Sequence, residues 1–563
     1  MHAPLRTRGN LRGAAAAAFG VALALAAGGQ PAAAQAATTR CFTFWETLGA
    51  AHLDLDRLHA LAGTREPTTE ALYRAGLAQA RLCGAGEPGA APGWSVRDLG
   101  LPSITILPAA SILQHNGAYP RTQRDGARWA GRGRSGAVTA GAHARWGPIS
   151  AAFAPVLGFH QNEQFPVLHP ATEGLSEWGS YFHAGVIDLP QRFGDESDRW
   201  AHPGQSYIRA DAYGAALGVS TETLRWGPAR RNPILMSGTA PGFFHAFVGT
   251  SGPADVGIGR LEVEAVWGRL EESSYFDTDP DNDTRLLAGL VIAFSPGASS
   301  GLTLGAARVY SRTIPPGGLP LGELILGPYR DVRENPGADA PDPDNQLLSL
   351  FLRWGLPAAG FEAYGEYARE DHWDHFEDLV MEPDHSRGYT VGFQKAFTRA
   401  SGDPRLRVAA EATNLNASSA WRSGRFLTTF YVHSQVRQGH THRGQLLGAP
   451  IGPGSDAQYV AADYLWPGGL VGASFERIRY DNDTYYNTFA HRFTYAGHDT
   501  ELTPALRGVY LLRGFQLVGE VALSVRYNRG FLELHRATSV PTTEENLSVS
   551  VGAAWVPGLR FDF

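Results

Sequence analysis

Three arginines, Arg225, Arg230 and Arg231, stand close together in "LRWGPARRNPILMSGTAPGF", whose prolines and glycines cannot pair regularly in a strand. Guanidinium groups so placed either neutralise carboxylates or bind an anionic ligand such as an acidic sugar. Glu262, Glu264, Glu362 and Glu366 are the carboxylates available for the first role. A second kind of chemistry lies in aromatics beside Asp, Asn, Arg and His. Trp373 sits in "EDHWDHFED", and Tyr485 and Tyr486 sit in "DNDTYYNTF". An aromatic face stacks on the apolar face of a sugar ring while polar neighbours bond its hydroxyls. The competing role is loop-on-loop packing or an interfacial aromatic belt.

Other constellations carry less. "DTDPDNDT", Asp277 to Thr284, lacks the glycine and terminal glutamate of an EF-hand loop. His372 and His375 lack the zinc-protease helix pattern. No metal and no other cofactor is expected. The pattern G-x-S-x-G occurs at Gly297 to Gly301, but in a tight turn between two amphipathic strands and not at a strand-to-helix elbow, and no G-x-x-x-x-G-K-[ST] phosphate loop is found. The chain therefore reads as a binding protein, not an enzyme, although triads are recognised by geometry and not by order. A net charge of -7 argues against nucleic acid.

The elements that must position these residues are strands. "RLEVEAVWGRL" sets Leu261, Val263, Ala265 and Trp267 on one face against Glu262 and Glu264. "FEAYGEYARE", "RLRVAAEATNL" and "QLVGEVALSVRY" repeat the pattern, one face apolar and the other charged. Runs of about ten residues suit a tilted membrane strand, with the apolar face on lipid and charges in a wet lumen. The connections alternate between tight turns such as "PAAG" and "PGG" and long polar loops, the asymmetry of outer-membrane barrels. Crossings between Leu99 and Phe563 come to about nineteen. A single-chain bacterial barrel needs an even number, so about eighteen is the expectation. Strand orientations traced from the two ends clash between Asn414 and Ala457. Either one strand assignment there fails, or "RQGHTHRGQLLGAPIGPGSDAQ" enters the lumen.

Before the barrel the texture differs. Arg6, Arg8 and Arg12, an apolar run and "QPAAAQAA" read as a signal peptide over residues 1–36. Residues 37–98 read as a small periplasmic helical hairpin and linker, with leucines at helical spacing and a break at Pro67. Cys41 and Cys83 are the only cysteines, and in an exported chain the pair reads as a disulfide, worth roughly 4 kcal/mol in the chain-entropy model. Residues 99–563 are the all-β transmembrane antiparallel barrel. The chain stops on Phe563, with Leu559 and Phe561 at the same parity. This ending resembles the C-terminal signature read by the barrel assembly machinery, and places the protein in the outer membrane of a diderm bacterium.

Three stretches go further: Gln114 to Gly133, Leu224 to His245, and His442 to Tyr459. They resemble the recurring segments of the Wzi-type capsule assembly family, over roughly Leu99 to Phe563. That resemblance implies an outer-membrane barrel, in contact with outer-membrane lipid, that binds surface polysaccharide and holds it at the cell. It supplies no compact motif for the ligand residues. The glycan-binding candidates are therefore Trp373, Tyr485, Tyr486, Arg225, Arg230 and Arg231. A porin or solute channel is the main alternative, and an outer-membrane enzyme a third.

Overall fold

The computed structural model describes residues 57, 61, 72–74, 102–123, 125–297, 301–326, 344–370, 380–381, 383–398, 404–418, 429–466, 469–489, 497–512, 515–532, 542–555 and 560–562. Eighteen antiparallel strands close into one barrel. The first six are β1 (Ser103–Asn116), β2 (Gly133–Trp146), β3 (Ile149–Phe153 and Val156–His160), β4 (Asp198–His202 and Tyr207–Ala212), β5 (Ala215–Ser220) and β6 (His245–Thr250). The next seven are β7 (Gly259–Glu271), β8 (Thr284–Pro296), β9 (Leu302–Thr313), β10 (Asp344–Leu356), β11 (Phe361–Glu370), β12 (Arg387–Thr398) and β13 (Pro404–Asn414). The last five are β14 (Asp456–Trp466), β15 (Gly469–Tyr480), β16 (Asp499–Leu512), β17 (Phe515–Tyr527) and β18 (Thr543–Trp555). β18 pairs with β1, which closes the ring, and Arg560–Asp562 extend that ladder against Ser103–Thr105. Phe563 lies outside the described residues, as do Cys41, Cys83 and Trp373.

Alternation along each strand decides which side chains meet lipid. On β10, Leu350, Leu352 and Trp354 are 52, 46 and 48% exposed, while Ser349, Phe351 and Arg353 are at most 5% exposed. On β11 the glutamates Glu362, Glu366 and Glu370 are buried inward and Tyr367 faces out. So large an exposed apolar surface is stable only against hydrocarbon. Trp146, Tyr213, Trp354, Phe515 and Trp555 gather at one end as an aromatic girdle. The tight turns lie at that end, which is therefore periplasmic. One of them, Pro357–Ala359, is closed by Gly360 at φ 58, where a Cβ would stand 2.4 Å from the Ala396 carbonyl oxygen.

Two long extracellular segments fold inward. Ser220 on β5 pairs with His245 on β6, so residues 221–244 leave and return at one point of the rim. Asn414 on β13 pairs with Asp456 on β14, so residues 415–455 do the same. The second excursion resolves the orientation clash: the segment from Arg437 enters the lumen and contributes no crossing. Among its described residues the sheet pairing there is a small hairpin, Thr441–His442 with Gln445–Leu446.

The two inserts share a core with the wall. Trp226, Ile234, Leu235, Met236, Tyr431 and Leu447 pack with Val266, Leu287, Val291 and Phe351. The chain before the barrel reaches the same interior. Leu72–Arg74, expected at the start of the second helix of the hairpin, is instead a strand paired with Leu224–Trp226 of the first insert, whose irregular backbone offers it a ladder partner. Arg57 and Leu61, one helical turn apart, are both buried, Leu61 against Leu465, Leu470 and Val509.

Candidate functional site

Irregular backbone inside a barrel has N–H and C=O groups that a ladder does not satisfy. Here carboxyl and guanidinium side chains of the wall take them. One carboxylate oxygen of Glu411 on β13 accepts the Arg230 and Arg231 amides at 2.8 and 3.1 Å, and the other accepts the Arg231 and Asn232 amides at 3.0 and 2.8 Å. The Tyr364 hydroxyl donates to the same carboxylate at 2.7 Å. Glu366 accepts the Ile234 amide at 3.0 Å, and Glu370 accepts the Tyr431 amide at 2.6 Å. From the opposite charge, Arg285 donates to the Gly439 and Thr441 carbonyls at 2.7 and 2.9 Å. The inserts also hold each other. Tyr431 donates its hydroxyl to the Ile234 carbonyl at 2.7 Å and accepts the Ala449 amide at 2.9 Å. Gly227, at φ 86, lies so close to Glu366 that a Cβ would stand 1.6 Å from its carboxylate.

The candidate arginines belong to this framework. Arg231 pairs with Glu476 at 2.6 Å and lies over the Tyr459 ring. Arg230 donates to Gln394 at 3.0 Å. Arg225 donates to the Ala229 carbonyl within its own segment. Arg231 meets a lumen carboxylate, but Glu476 and not one of the four expected, while Arg225 acts on Glu366 through its charge. Glu362 is instead held by Arg57 at 2.5 Å and Arg353 at 2.7 Å. Guanidiniums engaged with wall side chains, as Arg230 and Arg231 are, or with their own segment, as Arg225 is, are poorly placed to take an anionic sugar.

Above the inserts, among the extracellular loops, lies a cavity of about 320 Å³. Trp129, Tyr181, Phe182 and Phe531 supply its aromatic wall, and His183, Asp481, Asp499 and Arg526 its polar one. Phe182 stands edge-on to Phe489 and Phe531, both at 5.6 Å between centroids. Tyr485 stacks on Phe531 and is 3% exposed, so it serves as a support for that cluster, whereas Tyr486 is 38% exposed. Arg526 forms a two-pronged pair with Asp499, 2.7 Å on each side, and stacks 3.9 Å above the Tyr480 ring. His183 meets Asp481 at 3.0 Å. Burial works against the charged imidazole, but Asp481 and then Asp483 outweigh it, and the His183 pKa is raised. The Asp481 loop is tied down on the second insert: Asp483 accepts the Ala417 amide at 3.0 Å, and the Asn482 amide reaches the Gly454 carbonyl at 2.8 Å. A smaller polar cavity of about 160 Å³ shares Thr122, Pro450, Ile451, Tyr480 and Arg526 with the first. It lies beside the Arg231–Glu476 pair. Among the described residues no group of three His, Cys, Asp or Glu is arranged to hold a metal ion.

A family model described as capsule assembly protein Wzi matches residues 118–477, more than half of the chain. This protein belongs to that family. The match spans both inserts and the Asp125–Arg128 loop, and so takes in two of the stretches that carried the sequence resemblance whole and the first from residue 118 onward. No sequence among the curated proteins matches the chain. Among solved structures it is similar to Escherichia coli Wzi, described as a carbohydrate-binding β-barrel involved in group 1 capsule assembly. The TM-score is 0.52 at 11% identity, over 79% of this chain and 83% of that one. Acinetobacter baumannii OccAB2 has a TM-score of 0.40 at 11% identity, over 82% and 98% of the two chains. Pseudomonas aeruginosa OprD has 0.38 at 9%, over 84% and 98%. Family and fold together make this Wzi-family chain an outer-membrane barrel of a Gram-negative bacterium.

Sequence reasoning reached the arginine-bearing insert but not the mouth cavity. Phe182, Phe489 and Phe531 come from three separate loops, and no local pattern marks them as neighbours. The available signal was weaker: Phe182 stands between Tyr181 and His183 and Phe489 lies two residues from Asn487 and His491, but Phe531 has only Gly530 and Leu532 beside it.

Proposed function

We propose that this barrel binds capsular or related exopolysaccharide and holds it at the cell surface, by binding and not by catalysis. The observation that carries the reading is the contrast inside one molecule. The lumen holds a fold whose polar groups are tied to the wall, while the extracellular mouth keeps an aromatic cavity of sugar-ring scale. The family membership and the carbohydrate binding of the E. coli relative support the same conclusion. Half-buried Trp129, Tyr181 and Phe182 offer ring faces for stacking, and Asp481, His183 and Arg526 offer hydrogen bonds to hydroxyls. Exposed Tyr486 would extend that surface along the polymer, and Trp373 stays a candidate on its sequence neighbourhood alone. A long polymer meets many copies of such a site, so weak single contacts add up.

The test is binding of the purified, refolded barrel to the host's own extracted surface polysaccharide, together with conductance in a planar bilayer. Binding with a closed pore is the expected result. Steady open conductance without binding would overturn the proposal in favour of a solute channel.

A further inference from the structure

The lipid-facing wall over the seam between β1 and β18 is concave. Its upper edge carries two outward arginines, Arg134 on β2 and Arg199 on β4, both exposed. Arg134 lies twelve residues along β2 from Trp146 of the periplasmic girdle. At the ~3.3 Å rise and ~40° tilt of such strands, that is about 30 Å of height. It places Arg134 at the headgroups of the outer leaflet and not among acyl chains. Among the described residues neither guanidinium has a carboxylate within ion-pair distance. Asp198, exposed at the rim of the same concavity, turns its carboxylate onto the Arg199 backbone amide at 2.7 Å and not onto a guanidinium, and Glu163 sits 3.8 Å from Arg132. Other charged rim arginines are occupied: Arg477 and Arg479 hold Asp456 at 3.0 and 2.6 Å.

A groove descends from this pair. Through successive strand pairings one outward row runs from Arg199 through Phe159, Gly136, Leu113 and Val551 to Gly519 and Gly508, so exposed apolar side chains line its upper part and glycines leave its lower end low. Arg199 is one residue from the extracellular end of β4, and Gly508 is four from the periplasmic end of β16. The row is perpendicular to tilted strands, so its six steps of ~4.8 Å drop by roughly 20 Å, the scale of a long acyl chain. In the adjoining row Ser111 and Ala553, paired across the seam, leave a low stretch beside the exposed Val138 and Leu157. A Cβ on Gly519 or Gly508 would meet nothing closer than 3.7 or 3.8 Å, so the floor is open and not tightly packed.

We infer that this wall is a binding site for a phosphorylated, multiply acylated glycolipid of the outer leaflet. Its phosphates meet Arg134 and Arg199, which are two strand spacings, about 10 Å, apart sideways, and its chains lie in the groove below. Charge complementarity selects the anionic headgroup. A groove that crosses the seam and several strands selects a lipid with many chains over one with two.

The experiment is native mass spectrometry of the detergent-purified full-length protein with lipid A, phosphatidylglycerol and phosphatidylethanolamine as probes. Lipid A is expected to bind at least tenfold more tightly than either phospholipid. The double variant R134A/R199A should lose roughly thirtyfold, on the scale of about two headgroup charges, and R134K/R199K should keep most of the affinity. The variant G508L/G519L fills the groove where there is room, so it should fold and still bind lipid A less well. Equal binding of lipid A and phosphatidylglycerol would overturn the proposal, as would a double-alanine variant that folds and binds like the parent. Polysaccharide binding should be unchanged in all three variants, which keeps this site separate from the mouth.

Discussion

The lumen fold and the extracellular mouth are built from the same residue types and use them in opposite ways. In the lumen, Glu411 accepts four donors and Glu366 and Glu370 each cap an insert amide, so charge is spent holding backbone. At the mouth, Arg526 and Asp499 satisfy each other while Trp129, Tyr181 and Phe182 keep partly exposed faces. A buried charge must be fully paired to be tolerated, which leaves little to offer a ligand. A half-buried aromatic carries no such debt, and its remaining face is available. Binding capacity in this barrel therefore follows unsatisfied surface and not the density of charge.

The sharpest way to break the contrast is Glu411→Ala. It strands three insert amides and the Tyr364 hydroxyl, each a buried donor worth about 1–3 kcal/mol when unpaired. We expect a large fall in the temperature at which the barrel loses its compact mobility on gels, cleavage of residues 221–244 by added protease, and new conductance. A variant as stable and closed as the parent would show that the inserts hold themselves. Gly227→Val should act in the same direction, since its side chain would occupy the place of the Glu366 carboxylate.

Next in size is Tyr181→Ala at the mouth. Losing one ring face should weaken polysaccharide binding about tenfold, or ~1.4 kcal/mol, with the barrel still closed to ions. By contrast Arg225→Ala should leave binding within about twofold, ~0.4 kcal/mol, because Arg225 serves its own segment. A larger loss from Arg225→Ala than from Tyr181→Ala would reverse the comparison.

The smallest effect concerns pH. The His183 pKa is raised in the folded protein, so the pair with Asp481 is fully charged below the unfolded histidine value and is lost as pH rises through the folded one. The mouth loops should be most protected from hydrogen exchange at mildly acid pH and loosen toward alkaline pH. His183→Asn should flatten that profile. A profile unchanged by the substitution would assign the loosening to another group.

Much of the wall was legible because lipid on one side and a packed lumen on the other impose a strict two-residue alternation. Glu362, Glu366, Glu411 and Leu406 fall on the faces their parity dictates. The inward course of residues 437–455 was legible only as a contradiction, since an insert that returns to the neighbouring strand leaves the ladder intact. Which carboxylate meets which arginine was not legible. Arg231 reaches Glu476, and Glu411 reaches the amides of residues 230–232, through closure of a ring that no local spacing encodes. The phenylalanine cluster fails for the same reason, and Tyr485 shows that a polar neighbourhood does not tell a supporting ring from a contacting one.

Both inserts begin and end on strands that are paired with each other, Ser220 with His245 and Asn414 with Asp456. The kinetic consequence is that the wall need not wait for them. Adjacent strands can zip as hairpins whose loops are long, at a closure cost that grows only logarithmically with length, about 0.6 kcal/mol per doubling. The inserts can then condense inside a ring already formed, on carboxylates already in place. Natural variation in either insert would consequently be screened for what it does to the interior, with little penalty at the step where the barrel enters the membrane.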